Sequence, residues 1–279
     1  MSSRKERAGI AKQTIEIMHR GTYTSPGGNE VDITEQLRAA REGTILYRPD
    51  DWITLPRAER EHTTEYRVIN CTTLAAAREL IAEQPGTDPM CLNFASAKNP
   101  GGGFINGSQA QEESLARASG LYACISPVRG YYGANRACRT KLYTHHVIYS
   151  PQVPVFRDDD DLLLEEPYLA SMITAPACNV GAMRKRDEPD RVKLIERTML
   201  ERIDRILEIS IANGHDALVL GAWGCGVFRN DPEKVARWFR QRLGAGRYAG
   251  HFRQVTCAVL DGTADEHVVG AFRRCWGVS

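Results

Sequence analysis

Residues 217–232 read Ala217-Leu218-Val219-Leu220-Gly221-Ala222-Trp223-Gly224-Cys225-Gly226-Val227-Phe228-Arg229-Asn230-Asp231-Pro232. The apolar residues 217–220 predict a short buried strand, and the three glycines after them predict a loop. A helix is expected next, because Asp231 is a favourable N-cap and Pro232 suits the first helical position. A glycine loop that leads from a strand into a helix can hold phosphate groups on backbone N–H donors, without Lys or Arg.

The same order of strand and helix extends in both directions and indicates an α/β sandwich. We expect a mostly parallel or mixed central sheet with helices on both faces and with ligands at the carboxyl ends of the strands. Apolar runs predict strands over residues 43–47, 67–71, 89–95, 145–149, 172–178, 217–221 and 254–260. Helical periodicity predicts helices over residues 4–20, 73–84, 109–125, 187–213, 232–243 and 264–275. The acidic run 158–161 is expected to be a solvated loop or to cap a neighbouring helix.

The overall charge is close to neutral, with 36 Lys and Arg residues against 35 Asp and Glu residues in a chain of 279. Proteins that hold nucleic acid by bulk electrostatics usually have a basic surplus, so that class is disfavoured. Any anionic ligand must be held locally. Because no apolar run is long enough to span a membrane and the N-terminus begins polar and basic, we expect a cytoplasmic protein without a membrane partner.

The cysteines are not arranged as a metal site. None of the eight belongs to a C-x-x-C pair, and no histidines stand near them at zinc-ligand spacing. We therefore expect reduced and mostly buried thiols, and we interpret His145-His146 as a strand-edge pair. The cysteines are Cys71, Cys91, Cys124, Cys138, Cys178, Cys225, Cys257 and Cys275.

A second glycine loop follows the predicted strand 89–95. It reads Asn99-Pro100-Gly101-Gly102-Gly103-Phe104-Ile105-Asn106-Gly107-Ser108-Gln109-Ala110-Gln111-Glu112-Glu113. Successive glycines permit positive φ and a close approach to a ligand, although flexible loops use them as well. Ser108 and Gln111 predict a capping box that starts a helix at Gln109. Glu112 and Glu113 then lie early in the helix, where acids either complement the helix dipole or serve chemistry.

The glycine triplet, seven residues and then Gln111-Glu112-Glu113 resemble the signature of the poly(ADP-ribose) glycohydrolases. Asn99-Pro100 and the chain length are similar to the compact bacterial-type branch. The resemblance implies that Glu113 is the catalytic acid/base and that Glu112 helps to hold the ribose at the scissile linkage.

Residues 221–228 resemble the diphosphate-binding loop of macrodomains. This second resemblance implies that the amides of Gly224 to Val227 face a diphosphate and that Phe228 packs on a ribose. Cys225 has a rival interpretation as a nucleophile, and residues 175–179 either approach an adenine or simply end a strand. The substrate-binding residues implied by the two loops are Asn99, Gly101, Gly102, Gly103, Phe104, Gln111, Gly221, Gly224, Cys225, Gly226, Val227 and Phe228, with no metal ligand among them.

Together the two resemblances imply a macrodomain-like three-layer sandwich and a hydrolase of ribose–ribose O-glycosidic bonds that releases ADP-ribose without a cofactor. The expected substrates are poly(ADP-ribose) or ADP-ribosylated proteins, and sequence-specific nucleic-acid binding is not expected. Two alternatives stay open. A non-catalytic ADP-ribose reader needs the loops but no acid, and a mono-ADP-ribosyl hydrolase removes single units, although the Gln111-Glu112-Glu113 element favours polymer cleavage.

The resemblance is weak before residue 66. We therefore divide the chain into a macrodomain-like catalytic domain, 66–279, and an N-terminal accessory extension, 1–65, that packs on it. The extension begins with the predicted helix 4–20, which ends at Gly21, and continues with a segment rich in Pro, Gly and charge.

Overall fold

The chain is described by a computed structural model that covers residues 2–56, 62–185, 189–244 and 246–278. In chain order the strands are β1 (Thr22–Thr24), β2 (Glu30–Asp32), β3 (Ile45–Tyr47), β4 (Glu65–Ile69), β5 (Met90–Phe94), β6 (Val147–Arg157), β7 (Leu163–Ala175), β8 (Ala217–Leu220) and β9 (Gln254–Ala258). The helices are α1 (Arg4–Arg20), α2 (Thr34–Glu42), α3 (Thr73–Glu83), α4 (Gln111–Ala118), α5 (Leu121–Ile125), α6 (Arg129–Ala137), α7 (Val180–Lys185), α8 (Pro189–Val192), α9 (Ile195–Ala212), α10 (Pro232–Leu243) and α11 (His267–Trp276). A 3-10 turn, Phe104–Asn106, precedes α4.

The central sheet has seven strands in the order β3-β6-β7-β5-β8-β9-β4. The strands from β7 to β4 are parallel to their neighbours, whereas β6 is antiparallel to β7 and β3 is antiparallel to β6. The predicted mixed sheet is confirmed. Because β5 and β8 are adjacent and parallel, the loops that follow them emerge side by side at one edge of the sheet.

Helices cover both faces of this sheet. On one face α9, α10 and α11 pack through side chains such as Ile206, Phe239 and Phe272. On the other face α3, α5 and α6 pack through side chains such as Leu80 and Tyr131. The three-layer sandwich is therefore confirmed, and burial of each large apolar side chain contributes about 1.5–3 kcal/mol to it. None of the described helices combines the length and apolar character needed to cross a membrane.

The predicted helix over residues 109–125 is wrong, because the chain breaks it into α4 and α5. Ser119 between them is extended, with φ −144°, and forms an antiparallel bridge with Val155 of β6. The N–H of Gly120 donates to the carbonyl of Pro154 over 2.9 Å. The backbone at Ser119 and Gly120 thus pairs with β6 in place of the hydrogen bonds that one continuous helix would form there.

The predicted helix over residues 187–213 is also divided, into α8 and α9. Its predicted start, Asp187, lies outside the described residues. The strands predicted at residues 145–149 and 172–178 fall at the open end of a longer hairpin formed by β6 and β7. The acidic run 158–161 forms its turn, where Asp158 accepts from the N–H groups of Asp160 and Leu162.

The described part of the first 65 residues contacts the core at several points, and two of these bear on the site. Helix α1 has the predicted bounds and ends at Gly21 in the left-handed conformation, with φ 75°. Its Thr14 hydroxyl donates to the carbonyl of Arg117 at the end of α4 over 2.7 Å. Strand β3 pairs with β6 and forms one edge of the central sheet. This region therefore supports both the sheet and the helix that carries Glu112 and Glu113.

Candidate active site

The two glycine loops are neighbours in space. The first follows β5 and leads through the 3-10 turn into α4, and the second follows β8 and leads into α10. Because β5 and β8 pair in parallel, with Met90 opposite Leu218, both loops lie at the carboxyl edge of the sheet. The sequence places functional residues at this edge, and the structure brings the two loops together there.

The first loop is a series of tight turns that needs glycine. Gly101 and Gly102 have φ values of +66° and +59°. The N–H of Gly102 donates to the carbonyl of Asn99, and the N–H of Phe104 donates to the carbonyl of Gly101. A side chain at Gly101 or Gly102 would strain the backbone, so the conformation of the loop requires glycine at both positions. The side chain of Asn99 is exposed and available to a ligand.

Glu113 lies directly against this loop. Its Oε1 atom accepts a hydrogen bond from the N–H of Gly103 over 2.9 Å. A Cβ atom at Gly102 would stand 2.3 Å from Oε1 of Glu113 and 3.2 Å from Oε2 of Glu112. The absent side chain of Gly102 is therefore what lets both carboxyl groups occupy the same place. Glu113 is partly exposed, so its carboxyl group can reach a ligand in the loop.

Glu112 is buried beneath Glu113 and is only 3% exposed. Its Oε2 accepts from the N–H of Ser96 over 2.7 Å, and its Oε1 lies 3.4 Å from the Nδ2 of Asn93. Burial raises the pKa of Glu112 to about 8, against the lowering effect of the donated hydrogen bonds, and the nearby Glu113 raises it further. At neutral pH one of the two adjacent acids is thus held mostly in its neutral form.

This burial predicts a pH-dependent stability that Glu112→Gln removes. Below pH 4.5, the usual pKa of a Glu side chain, folded and unfolded chains are both protonated at this position. Between pH 4.5 and about 8 the unfolded chain releases the proton first, so stability falls as pH rises. We expect Glu112→Gln to flatten this fall, by a few kcal/mol across the window. Urea denaturation at pH 5 to 9 measures it, and parallel curves for the two proteins would contradict the buried acid.

Two residues predicted to bind substrate have side chains engaged elsewhere. Gln111 accepts from the N–H of Phe94 and donates to the carbonyl of Leu92, both over 2.8 Å, and also donates to Thr73. Its side chain therefore ties α4 to the end of β5. The predicted capping box is wrong as well, since the N-cap of α4 is Ala110 and no side chain caps it.

Phe104 is fully buried, and its ring lies 4.9 Å from that of Tyr122 in a cluster with Ala11 and Ala116. Its side chain anchors the loop to α1 and α4 and faces away from solvent. A contact between Phe104 and a ligand is thus limited to its backbone. A large apolar residue directly after a glycine triplet is typical of such an anchor as much as of a binding residue.

The second loop presents unpaired backbone donors. Among the described residues, the N–H groups of Gly224, Gly226, Val227 and Phe228 have no hydrogen-bond acceptor. Val227 is 80% exposed, and the ring of Phe228 lies 6.0 Å from that of Tyr143. Next in the chain, Asp231 caps α10 through the N–H groups of Glu233 and Lys234, as predicted. These free donors beside a helix N-terminus are the arrangement expected for an oxyanion.

The glycines of this loop differ in what they require. Gly224 has φ +74°, and a Cβ there would lie 2.4 Å from the Cβ of Ala177. Gly221 approaches the backbone of β9, where a Cβ would lie 2.3 Å from the carbonyl oxygen of Ala258. Gly226 is not held at positive φ, and a Cβ there would meet nothing within 4 Å. Neither φ strain nor crowding therefore requires glycine at position 226, and the space beside it is open.

Cys225 is shielded, and burial raises the pKa of its thiol to about 12. Its Sγ lies 3.9 Å from the carbonyl oxygen of Trp223, and no histidine contacts it among the described residues. A thiol of this kind is a poor nucleophile at neutral pH, so the structure favours the interpretation of Cys225 as a small residue in a tight turn.

We expect Cys225→Ala to keep turnover within about threefold of the wild type, since one weak contact is lost. An inactive variant with intact ligand binding would point to thiol chemistry.

Sequence reasoning did not find Asn93, Ser96 and Asn230. Asn93 is fully buried in β5 and contacts Glu112, and Ser96 donates to Glu112 from the loop. Asn230 is 4% exposed and donates to the carbonyls of Cys178 and Gly224. A polar residue inside the apolar run 90–94 was the signal for Asn93. Over the described residues no cluster of three or more His, Cys, Asp or Glu could hold a metal ion.

Comparisons with known proteins agree with this geometry. Residues 11–158 match the family model for the catalytic domain of microbial-type poly(ADP-ribose) glycohydrolase. No curated protein matches the chain. The crystal structure of poly(ADP-ribose) glycohydrolase from Thermomonospora curvata is 44% identical, with a TM-score of 0.91, over 97% of this chain and 99% of that chain. The same enzyme bound to the inhibitor ADP-HPD is 45% identical, with a TM-score of 0.89 and the same coverage.

The poly(ADP-ribose) glycohydrolase from Deinococcus radiodurans, in complex with ADP-ribose, is 45% identical, with a TM-score of 0.78. The match covers 86% of this chain and 96% of that chain. Identity at this level over nearly the whole length, together with the family model, is more than a shared fold. This chain belongs to the family of microbial-type poly(ADP-ribose) glycohydrolases.

Proposed function

We propose that this protein hydrolyses the ribose–ribose O-glycosidic bonds of poly(ADP-ribose) and releases ADP-ribose. One observation carries the proposal. A carboxyl group, that of Glu113, lies on a glycine loop that stands beside a second loop with four unpaired backbone donors. The first feature suits proton transfer at a glycosidic oxygen, and the second suits a diphosphate.

In the proposed reaction the bond between the anomeric carbon of one ribose and the 2′ oxygen of the next ribose breaks. Glu113 donates its proton to the departing oxygen while positive charge develops on the ribose that remains bound. Water then attacks the anomeric carbon, and the carboxylate of Glu113 takes a proton from that water. The acid is thereby restored, and no metal or cofactor enters the balance.

The loops divide the other tasks. The free backbone N–H groups of Gly224, Gly226, Val227 and Phe228 hold the diphosphate, which suits a chain that has almost no net charge, whereas the N–H of Cys225 donates to the carbonyl of Ala222. The absent side chain of Gly102 leaves the space at the carboxyl group of Glu113 open, and the absent side chain of Gly101 makes room for the ring of Phe104. Glu112 helps to hold the ribose at the scissile linkage. Its Oε2 accepts from the N–H of Ser96, which keeps the carboxyl group in its buried position beside the loop. Gln111 fixes the first turn of α4, so its role is to position the two acids.

Polymer cleavage is distinguished from removal of single units by a comparison of substrates. Purified protein is incubated, with EDTA present, with labelled poly(ADP-ribose) and with a peptide carrying one ADP-ribose on a glutamate side chain. We expect rapid release of ADP-ribose from the polymer and a rate at least about 10²-fold lower on the peptide, because catalysis depends on positioning of the leaving ribose. Equal rates would favour a mono-ADP-ribosyl hydrolase. Binding of ADP-ribose without any release would indicate a reader.

The proposal extends to the division of the chain, its compartment and its partners. Residues 66–279 form the catalytic domain and residues 1–65 an accessory extension, which is supported by the position of both loops within the later segment. The cytoplasm is the proposed compartment, supported by cysteines that are all unpaired, four of them fully buried. The proposed partners are polymer or ADP-ribosylated protein as substrate and ADP-ribose as product.

A further inference from the structure

A buried cation lies beneath the second loop, and the proposed chemistry has not used it. Arg202 of α9 is 0% exposed. Its Nη1 donates to the carbonyl of Pro176 over 2.7 Å, its Nη2 donates to the carbonyl of Leu142 over 2.9 Å, and its Nε has no partner among the described residues. The described ion pairs of α9 involve Arg197, Glu201, Asp204 and Glu208 and do not include Arg202.

A buried arginine without a carboxylate is costly. Desolvation of a guanidinium is repaid only when an opposite charge and a full set of hydrogen bonds replace water. The two carbonyl acceptors provide hydrogen bonds but no negative charge. A neighbouring anion would provide that charge, and the substrate proposed above carries a diphosphate.

The two segments that Arg202 holds form the back of the second loop. Pro176 precedes Ala177, against which Gly224 packs, and Asn230 links the carbonyl of Cys178 to that of Gly224. Leu142 precedes Tyr143, whose ring lies 6.0 Å from that of Phe228. On each segment, the residue that follows the carbonyl bound by Arg202 contacts the loop that presents the free N–H groups.

We propose that Arg202 is a positioning residue for the substrate diphosphate, acting from behind the loop. It fixes residues 142 and 176 through its two Nη groups, and its charge is balanced by the bound diphosphate. The inference rests on the proposed function, because it requires that ADP-ribose binds at residues 224–228. It adds a buried charge behind a loop whose own cation, Arg229, is exposed. Arg202 does not touch the reacting atoms.

The test separates charge from packing by using two ligands. ADP-ribose carries the diphosphate, and adenosine shares its base and one ribose but has no phosphate. Dissociation constants for both are measured by isothermal titration and ligand-observed NMR on the full chain, for the wild type, Arg202→Gln and Arg202→Lys. Arg197→Gln is the matched control, since Arg197 lies on the same helix but is 80% exposed.

We expect Arg202→Gln to lower the preference for ADP-ribose over adenosine about tenfold. This is the size of effect expected when one nearby charge that attracts the diphosphate is removed in a medium of intermediate dielectric constant. Arg202→Lys keeps the charge and should keep the preference within about threefold, even where both affinities fall. The loss in Arg202→Gln should persist at 1 M salt, because a buried charge is weakly screened. Arg197→Gln should leave the preference unchanged.

Equal losses for both ligands in Arg202→Gln would show a purely structural role and overturn the inference. If Arg202→Gln does not fold, Arg202→Lys still decides, because a tenfold loss of preference in a variant that keeps the charge contradicts the proposal. Wild-type protein that fails to bind ADP-ribose would instead overturn the proposed function. The two failures are therefore distinct.

Discussion

Glu113→Gln is expected to lower turnover on poly(ADP-ribose) by about 10²–10⁴-fold, the usual contribution of a general acid/base. Glutamine has nearly the same shape and can still accept from the N–H of Gly103, so the loop should keep its conformation. It cannot donate a proton to the leaving oxygen or accept one from water. The dissociation constant of ADP-ribose should stay within about threefold of the wild type, since the diphosphate is held by the other loop.

The control for this variant is Glu16→Gln, which removes an exposed carboxylate on α1. Steady-state kinetics, titration with ADP-ribose and a thermal melt are compared for the three proteins. Near wild-type turnover in Glu113→Gln would remove Glu113 from the mechanism, and Glu112 would then be the remaining acid at the loop. Loss of binding together with turnover would show a structural role for the carboxyl group.

Gly224→Ala is expected to weaken ADP-ribose binding by about 10²-fold. Its Cβ would lie 2.4 Å from Ala177 and 2.7 Å from the Nδ2 of Asn230, and its φ of +74° is unfavourable for alanine. Relief of these contacts requires a shift of the loop by about 1 Å, since carbon atoms normally approach to about 3.5–4.0 Å. A displacement of that size moves the N–H donors away from the diphosphate. The free energy of unfolding should also fall, by more than the 1–3 kcal/mol of φ strain alone.

Gly214→Ala is the matched control for that experiment. Gly214 has φ +79°, but a Cβ there would meet nothing within 4 Å, and it precedes β8 at the opposite end from the second loop. It should show the φ strain without a loss of binding. Isothermal titration and urea denaturation of both variants separate the two effects. Equal affinity for ADP-ribose in Gly224→Ala and the wild type would show that the diphosphate does not lie on this loop.

Local signals in the sequence predicted the parts of the fold that depend on local chemistry. Helix α10 has the predicted bounds, because Asp231 and Pro232 start it and Gly244 ends it. Helix α1 likewise ends where Gly21 adopts positive φ. The break between α4 and α5 depends instead on pairing of Ser119 with Val155, a residue far along the chain. No window of sequence around Ser119 contains that partner.

The same distinction holds within the site. The two loops could be located from their glycines, since positive φ and close approach are requirements of the residue itself. The engagement of Gln111 with β5 and the burial of Phe104 against α1 could not, because both depend on how distant elements pack. Arg202 gave no signal at all, since an arginine in the amphipathic helix α9 is usually exposed. Its burial becomes visible only when the helix is placed on the sheet.

The most direct test of the central claim is a time course of ADP-ribose release from labelled poly(ADP-ribose) by the unmodified protein. Products are separated by chain length and identified by mass spectrometry. We predict multiple turnovers that convert the polymer to free ADP-ribose, with shortening of the chains as the product accumulates. A polymer that stays intact while ADP-ribose binds at the two loops would contradict the assignment as a glycohydrolase.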